Sequence, residues 1–354
     1  PRSTPLYSSA ASDVYKRQIF ISAFLTMFQQ GFSQATETNG LVKWITIKEA
    51  QEKNKQFQRP ILLDFYTDWC GWCKHMMRTT YSSPAIAEYI NTNFYPVKFN
   101  AEGKDTIEFN GKVYKPTSKE PKTPHEFALK LMGQQLSYPT TAFITNNYEY
   151  TLLSQGYLEE KKIEPILVFM LENAWRNTTF EVFGVNFAKT FYDTNFRKKP
   201  VKVYTFKELD KLQKKKPKKV LVHITSSFCN SCKVMSKTTF MDSAIAKIIN
   251  EKYYLVEFNA ETNDTLEFKG EKFIKSVINN FPLHSLSLKI CDNRFSLPAT
   301  CVLDEKLNTI DVFNFYFSPD LIKPGLIFYG EDHFKTKKWP EFIAEYNKPS
   351  TKKK

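Results

Sequence analysis

Cys70 and Cys73 recur as Cys229 and Cys232, an offset of 159 residues (229 − 70), and the same offset carries other positions with it. His125 maps onto His284, Pro139 onto Pro298, Pro165 onto Pro324 and Glu172 onto Glu331, without an insertion. From Ile90, INTNFYPVKFNAE aligns with INEKYYLVEFNAE from Ile249 at eight of thirteen positions. A register kept over that length means two copies of one folding unit, Trp44 to Phe183 and Val203 to Phe342. The length agrees, since 354 residues is long for one ordinary domain and comfortable for two.

Each copy reads in the same order: helix, apolar strand, a Cys pair opening a second helix, strand, hairpin, helix, two strands, final helix. ILLDFYT and VLVHITS are too continuously apolar for a surface and belong at the centre of a covered sheet. SPAIAEYINTNF and DSAIAKIINEKY carry apolar residues at helical spacing, and YPVKFNA and YLVEFNA return as strands. Asn110-Gly111, with Lys269-Gly270 in the second copy, sits between alternating runs and predicts a hairpin. Pro139 and Pro298 start the strands TTAFIT and ATCVLD. Strands alternate with helices, so the class is α/β.

Apolar residues make up 42% of the chain, which fits sizeable cores rather than disorder. The net charge of +13 comes from scattered lysines, and its densest run, Lys214 to Lys219, reads as a solvated turn; nucleic acid is not an expected partner. Residues 1–18 have no regular apolar period and resemble a non-native leader. Ile19–Phe28 then reads as a signal-peptide h-region, with Ser33 and Ala35 at the small-residue positions of a cleavage zone. The signal peptide is thus expected at 19–35, with export and no membrane span in the mature chain. The expected domains are 36–183 and 203–345, joined by a linker, 184–202, and followed by a basic tail, 346–354.

The stretch LLDFYTDWCGWCKHMMRTT decides the chemistry. A haem anchor needs His directly after the second Cys, where Lys74 and Lys233 stand. A four-Cys zinc site wants its pairs about 15 to 20 residues apart, whereas Cys73 and Cys229 have 155 residues between them. A structural disulfide closing so short a loop adds little stability. Redox exchange remains. At a helix start, free N–H groups and the dipole favour a thiolate, lowering the pKa of Cys70 from about 8.5 toward about 7 or below. Cys70 is then the nucleophile, and Cys73, one turn deeper, resolves the mixed disulfide. Trp69 and Trp72 read as an apolar docking surface or, for Trp72, as packing; Lys74 and His75 read as solvent-facing. No small-molecule cofactor or metal is called for, only protein disulfide or dithiol substrates and a redox partner protein.

These motifs resemble the thioredoxin-like proteins, in particular exported bacterial ones carrying Trp-Cys-Gly-Trp-Cys-Lys, and the resemblance covers both copies almost entirely. It implies two tandem thioredoxin-like domains, each a central mixed sheet flanked by helices, here with an added hairpin. It also implies cis prolines at Pro139 and Pro298, which with Tyr138 and Leu297 would face substrate. Asp64, on an otherwise apolar strand, falls where the family keeps a buried proton acceptor, and would take the proton of Cys73; a hydrogen-bonded structural Asp is the alternative. The second copy departs from this pattern with Phe228-Cys229-Asn230-Ser231-Cys232, His223 for Asp64 and Glu257 for Lys98. Two different potentials are therefore expected, with domain one the main reductase and domain two an electron relay or a less reducing partner, a degenerate client-holding domain being the alternative. For the whole chain, a disulfide isomerase or chaperone and a non-enzymatic binding module stand as alternatives. Cys291 and Cys301 read as single buried cysteines, with a disulfide between them as the alternative.

Overall fold

The apolar runs ahead of the two Cys pairs become the buried centres of two sheets. A computed structural model describes residues 40–195, 200–278 and 281–348, and its contacts divide the chain into two units between Lys161 and Lys162. The leader, the h-region with Ser33 and Ala35, and residues 349–354 of the basic tail lie outside the described residues.

The first unit contains α1 (Ile47–Gln56), β1 (Ile61–Tyr66), α2 (Gly71–Arg78), α3 (Pro84–Asn93), β2 (Tyr95–Asn100), β3 (Ile107–Phe109), β4 (Lys112–Tyr114), α4 (Glu126–Met132), β5 (Thr140–Ile144) and β6 (Thr151–Gln155). Its sheet runs β2-β1-β5-β6, with β1 parallel to β2 and antiparallel to β5. Because β1 is paired on both sides and covered on both faces, both of its side-chain rows are buried. Ile61, Leu63 and Phe65 enter one core with Val97, Phe127 and Ile144. Leu62 and Asp64, which alternate with them, point to the other face and are equally buried.

The expected hairpin forms as β3–β4. Its two loop residues, Asn110 and Gly111, have φ of 48° and 73°, the positive pair that a twist-matched two-residue turn demands. His125 is a buried brace: Nε2 donates to the Asp105 carbonyl at 2.9 Å, and Nδ1 accepts from the Phe127 N–H at 3.1 Å. His284 repeats this with Asp264 and Leu286, so the repeated histidine pins a loop in each copy.

The second unit takes in most of α5 (Glu160–Leu171), then α6 (Phe180–Phe191), β7 (Val203–Tyr204), α7 (Phe206–Lys215), β8 (Lys219–Thr225), α8 (Asn230–Val234), α9 (Ser243–Lys252) and β9 (Tyr253–Asn259). It continues with β10 (Leu266–Phe268), β11 (Glu271–Phe273), β12 (Lys275–Ile278), β13 (Phe281–His284), α10 (Leu286–Ile290), β14 (Ala299–Leu303), β15 (Thr309–Asn314), α11 (Pro319–Gly330) and α12 (Trp339–Tyr346). The sheet order is β15-β14-β8-β9-β7. Thr46 with Glu49, and Thr205 with Glu208, close capping boxes at the starts of α1 and α7, the same device at the same register.

Two features were not foreseen. A second hairpin, β12–β13, lies where the first copy has only a bridge between Pro116 and His125. The segment read as a linker from Gly184 is helical as far as Phe191. Within the second unit Phe183 meets the Tyr316 ring at 5.0 Å, and Asn186 Nδ2 donates to the Tyr316 hydroxyl at 2.9 Å. Aromatic residues at helical spacing in GVNFAKTF carried that signal.

Candidate redox site

In the first unit β1 ends at Tyr66 and the chain turns through Thr67, whose carbonyl accepts from the Cys70 N–H at 3.1 Å. Cys70 is thereby placed at the cap of α2. Its Sγ accepts from the Cys73 N–H at 3.1 Å and is joined to Cys73 in a disulfide. Both cysteines are buried, while Gly71 and Trp72 between them are exposed.

Around the pair stand aromatic rings. Trp69, 58% exposed, donates from Nε1 to Glu102 at 3.0 Å and meets Tyr138 edge-on at 6.0 Å. Trp72, 61% exposed, leans on His75 and Tyr157 with centroids at 5.5 and 5.7 Å. His75 is therefore half-buried in a ring cluster rather than simply solvent-facing; Lys74 is exposed. The Tyr138–Pro139 and Leu297–Pro298 peptides are both cis, as the resemblance implied.

Asp64 lies behind the pair, buried. Its Oδ1 accepts from the Tyr81 hydroxyl at 3.4 Å, Tyr81 in turn meets Thr141 Oγ1 at 3.3 Å, and Asp64 Oδ2 is buried with no hydrogen-bond partner among the described residues. Burial pushes the Asp64 carboxyl up from 3.8 to about 7, against the opposing pull of Lys98 and the Tyr81 bond. The carboxyl is thus poised to take or give a proton near neutral pH. Sequence reasoning did not single out Tyr81, Thr141 or Glu102.

The second pair repeats the sulfur geometry: Cys229 caps α8, its Sγ accepts from the Cys232 N–H at 3.1 Å, and the two are disulfide-bonded. The surroundings differ. His223 replaces Asp64 and Phe240 replaces Tyr81, so an acid–phenol contact becomes an imidazole–phenyl contact at 4.8 Å. His223 Nε2 faces the Cys232 carbonyl at 3.3 Å, which requires it to donate, and Nδ1 meets Thr300 Oγ1 at 3.0 Å. Burial pushes this imidazole down to about 4, outweighing Glu257, so it is neutral at pH 7. Asn230 and Ser231, unlike Gly71 and Trp72, are buried. Phe228, 47% exposed, stacks on Phe281 of the unforeseen hairpin. Cys291 and Cys301 are free and buried, with their Sγ atoms 3.0 Å apart.

Among curated proteins, the thiol:disulfide interchange protein DsbD of Vibrio vulnificus (strain CMCP6) is 38% identical over 60 residues, 16% of this chain. That match spans a tenth of the relative's length. Among solved structures, a DsbH oxidoreductase is 20% identical, covering 36% of this chain and 83% of its own, with a TM-score of 0.24. The reduced C-terminal domain of Neisseria meningitidis DsbD is 20% identical over 35% of this chain and 93% of its own, with a TM-score of 0.26. The family described as "Thioredox_DsbH: Protein of unknown function, DUF255" matches residues 32–182 and 185–277. That is more than half of the chain, and both Cys-x-x-Cys pairs fall inside it: the protein belongs to this thioredoxin-like DsbH (DUF255) family.

Proposed function

We propose that the protein is an exported thiol–disulfide oxidoreductase that exchanges electrons with protein disulfides, its first unit acting reductively. The observation that carries this reading is Cys70 at the cap of α2, with exposed Trp69 and Trp72 beside it and a buried carboxyl, Asp64, behind it. The helix start favours Cys70 as a thiolate. That thiolate attacks one sulfur of a client disulfide, forming a mixed disulfide and releasing the client's first thiolate. Cys73 then attacks Cys70, its proton passing to Asp64, and the client leaves with both electrons while the pair is oxidised. Trp69, Trp72, Tyr138 and Pro139 form the surface against which an extended client docks, and Leu297 and Pro298 have the corresponding place in the second unit. Export rests on the segment 19–35, and the partner is a protein dithiol that reduces Cys70–Cys73 again.

The second pair is the relay in this reading. Its buried middle dipeptide favours a second reading for that unit alone, a client-holding domain that turns over slowly. Reduction of insulin-type disulfides by the wild type and by Cys70→Ser and Cys229→Ser variants tests both. Loss of activity in Cys70→Ser with retention in Cys229→Ser supports a first-unit reductase and removes the relay. Full activity in Cys70→Ser overturns the assignment. Refolding of a scrambled multi-disulfide protein separates an isomerase from a reductase, and binding without turnover would leave a non-enzymatic client-binding module.

A further inference from the structure

Glu172 follows α5 and directs its carboxylate at the start of α8. It accepts from the Asn230 N–H at 2.9 Å and the Ser231 N–H at 2.7 Å, and lies 3.8 Å from Cys229 Sγ. At the first pair, among the described residues, no side-chain carboxylate meets the N–H groups of Gly71 and Trp72. The register-equivalent of Glu172, Glu331, is at the surface beside Lys252 and His333. The placement of Glu172 is therefore particular to this site, and it occupies the spot where N–H groups and dipole would otherwise stabilise a thiolate.

The group that would serve as acid at this site is missing. His223 has both nitrogens engaged, and it meets the Cys232 carbonyl rather than either sulfur. We propose that Glu172 is the proton-holding residue of the second redox centre, keeping reduced Cys229 a thiol near neutral pH and taking up its proton only as the sulfur bonds to a client. The proposal rests on the reading that the second pair exchanges electrons.

In the step it describes, a protein dithiol reduces Cys229–Cys232. The partner's two sulfurs become a disulfide, and its two electrons and two protons pass to Cys229 and Cys232. The proton on Cys229 sits in a hydrogen bond to Glu172. When Cys229 next attacks a client disulfide, Glu172 takes that proton and yields it to the departing client thiolate. Two negative charges so close cannot both persist cheaply where water is largely excluded. Burial raises the Glu172 carboxyl above its ordinary range, opposed by the two N–H bonds and by Lys233. Lys233 itself is acted on by Glu261 and by Lys237, whose Nζ bonds the Thr190 carbonyl of α6.

The test uses full-length protein with Cys70→Ser and Cys73→Ser, so that the second pair is read alone, with and without Glu172→Gln. After reduction with a trialkylphosphine, the pH dependence of Cys229 alkylation by iodoacetamide is followed by peptide mass spectrometry. The parent is expected to titrate above the ordinary free-thiol value of about 8.5; a midpoint below that overturns the proposal without any Glu172 variant. Glu172→Gln is expected to lower the midpoint enough to speed alkylation at pH 7 about tenfold, and to shift glutathione equilibrium toward the dithiol by a similar factor. An unchanged alkylation profile in Glu172→Gln would leave Glu172 only a helix cap and overturn the proposal. Failure of glutathione to reduce the parent pair would instead remove the relay reading, while the alkylation profiles would still decide on Glu172.

Discussion

Replacing Asp64 by Asn should make the protein more stable at neutral and alkaline pH. The carboxyl is buried with one oxygen unpaired among the described residues, and burial raises its pKa from 3.8 to about 7. A carboxyl protonated more tightly in the folded than in the unfolded state contributes stability that is complete below about pH 4. That contribution is lost as the pH rises to about 7 and stays lost above it. The full difference corresponds to about 4 kcal/mol at about 1.4 kcal/mol per pH unit, of which about 3 falls between pH 5 and pH 8. Asn keeps an acceptor for the Tyr81 hydroxyl and cannot ionise, so its contribution is flat. The assay is guanidinium unfolding of the oxidised wild type and Asp64→Asn at pH 5 and pH 8, followed by tryptophan fluorescence; Trp44, Trp69 and Trp72 report on the first unit. The stability advantage of the variant should grow by up to about 3 kcal/mol between those two pH values. Equal advantages at both would refute the account of Asp64 as a buried carboxyl held near neutrality.

His223 gives the opposite slope. Its imidazole ionises near 4 when folded, below the ordinary 6.5, so its contribution is complete above about pH 6.5 and is lost as the pH falls toward 4; thermal melts of His223→Asn should show a weaker acid dependence than wild type. Alkylation in denaturant without reductant should label two thiols, Cys291 and Cys301, and after reduction all six cysteines; no label before reduction would mean the 3.0 Å pair had closed into a third disulfide. Cys73→Ser should accumulate a mixed disulfide with client, visible on a non-reducing gel, and Cys70→Ser should not. Phe127→Ala, which empties the ring cluster with Phe65, Phe99 and Phe109, should cost about 3–5 kcal/mol by denaturant unfolding.

The sequence alone determined the repeat, the α/β class and the two Cys pairs at helix starts, because each is written in local pattern. An offset is a count, a continuous apolar run has few places to go but a covered strand, and Asn110-Gly111 fits a turn that needs two positive φ values. Asp64 was legible as an anomaly, a charge in an apolar strand. What held it was not, because Tyr81 and Thr141 come from elsewhere along the chain, and only the closing of the sheet and helix around β1 brings them to one carboxyl. The helical stretch in GVNFAKTF was hidden by its setting between repeats, where a linker is the simplest expectation, although its ring spacing was that of a helix.

Glu172 shows the division most clearly. In sequence it is one of a matched pair with Glu331. In the folded chain the two part company, one set against the N–H groups beside Cys229 and the other at the surface with Lys252. Sequence fixes the donors and acceptors a residue carries, but which buried N–H groups it must satisfy depends on which elements pack over it, and that is decided only when the chain closes.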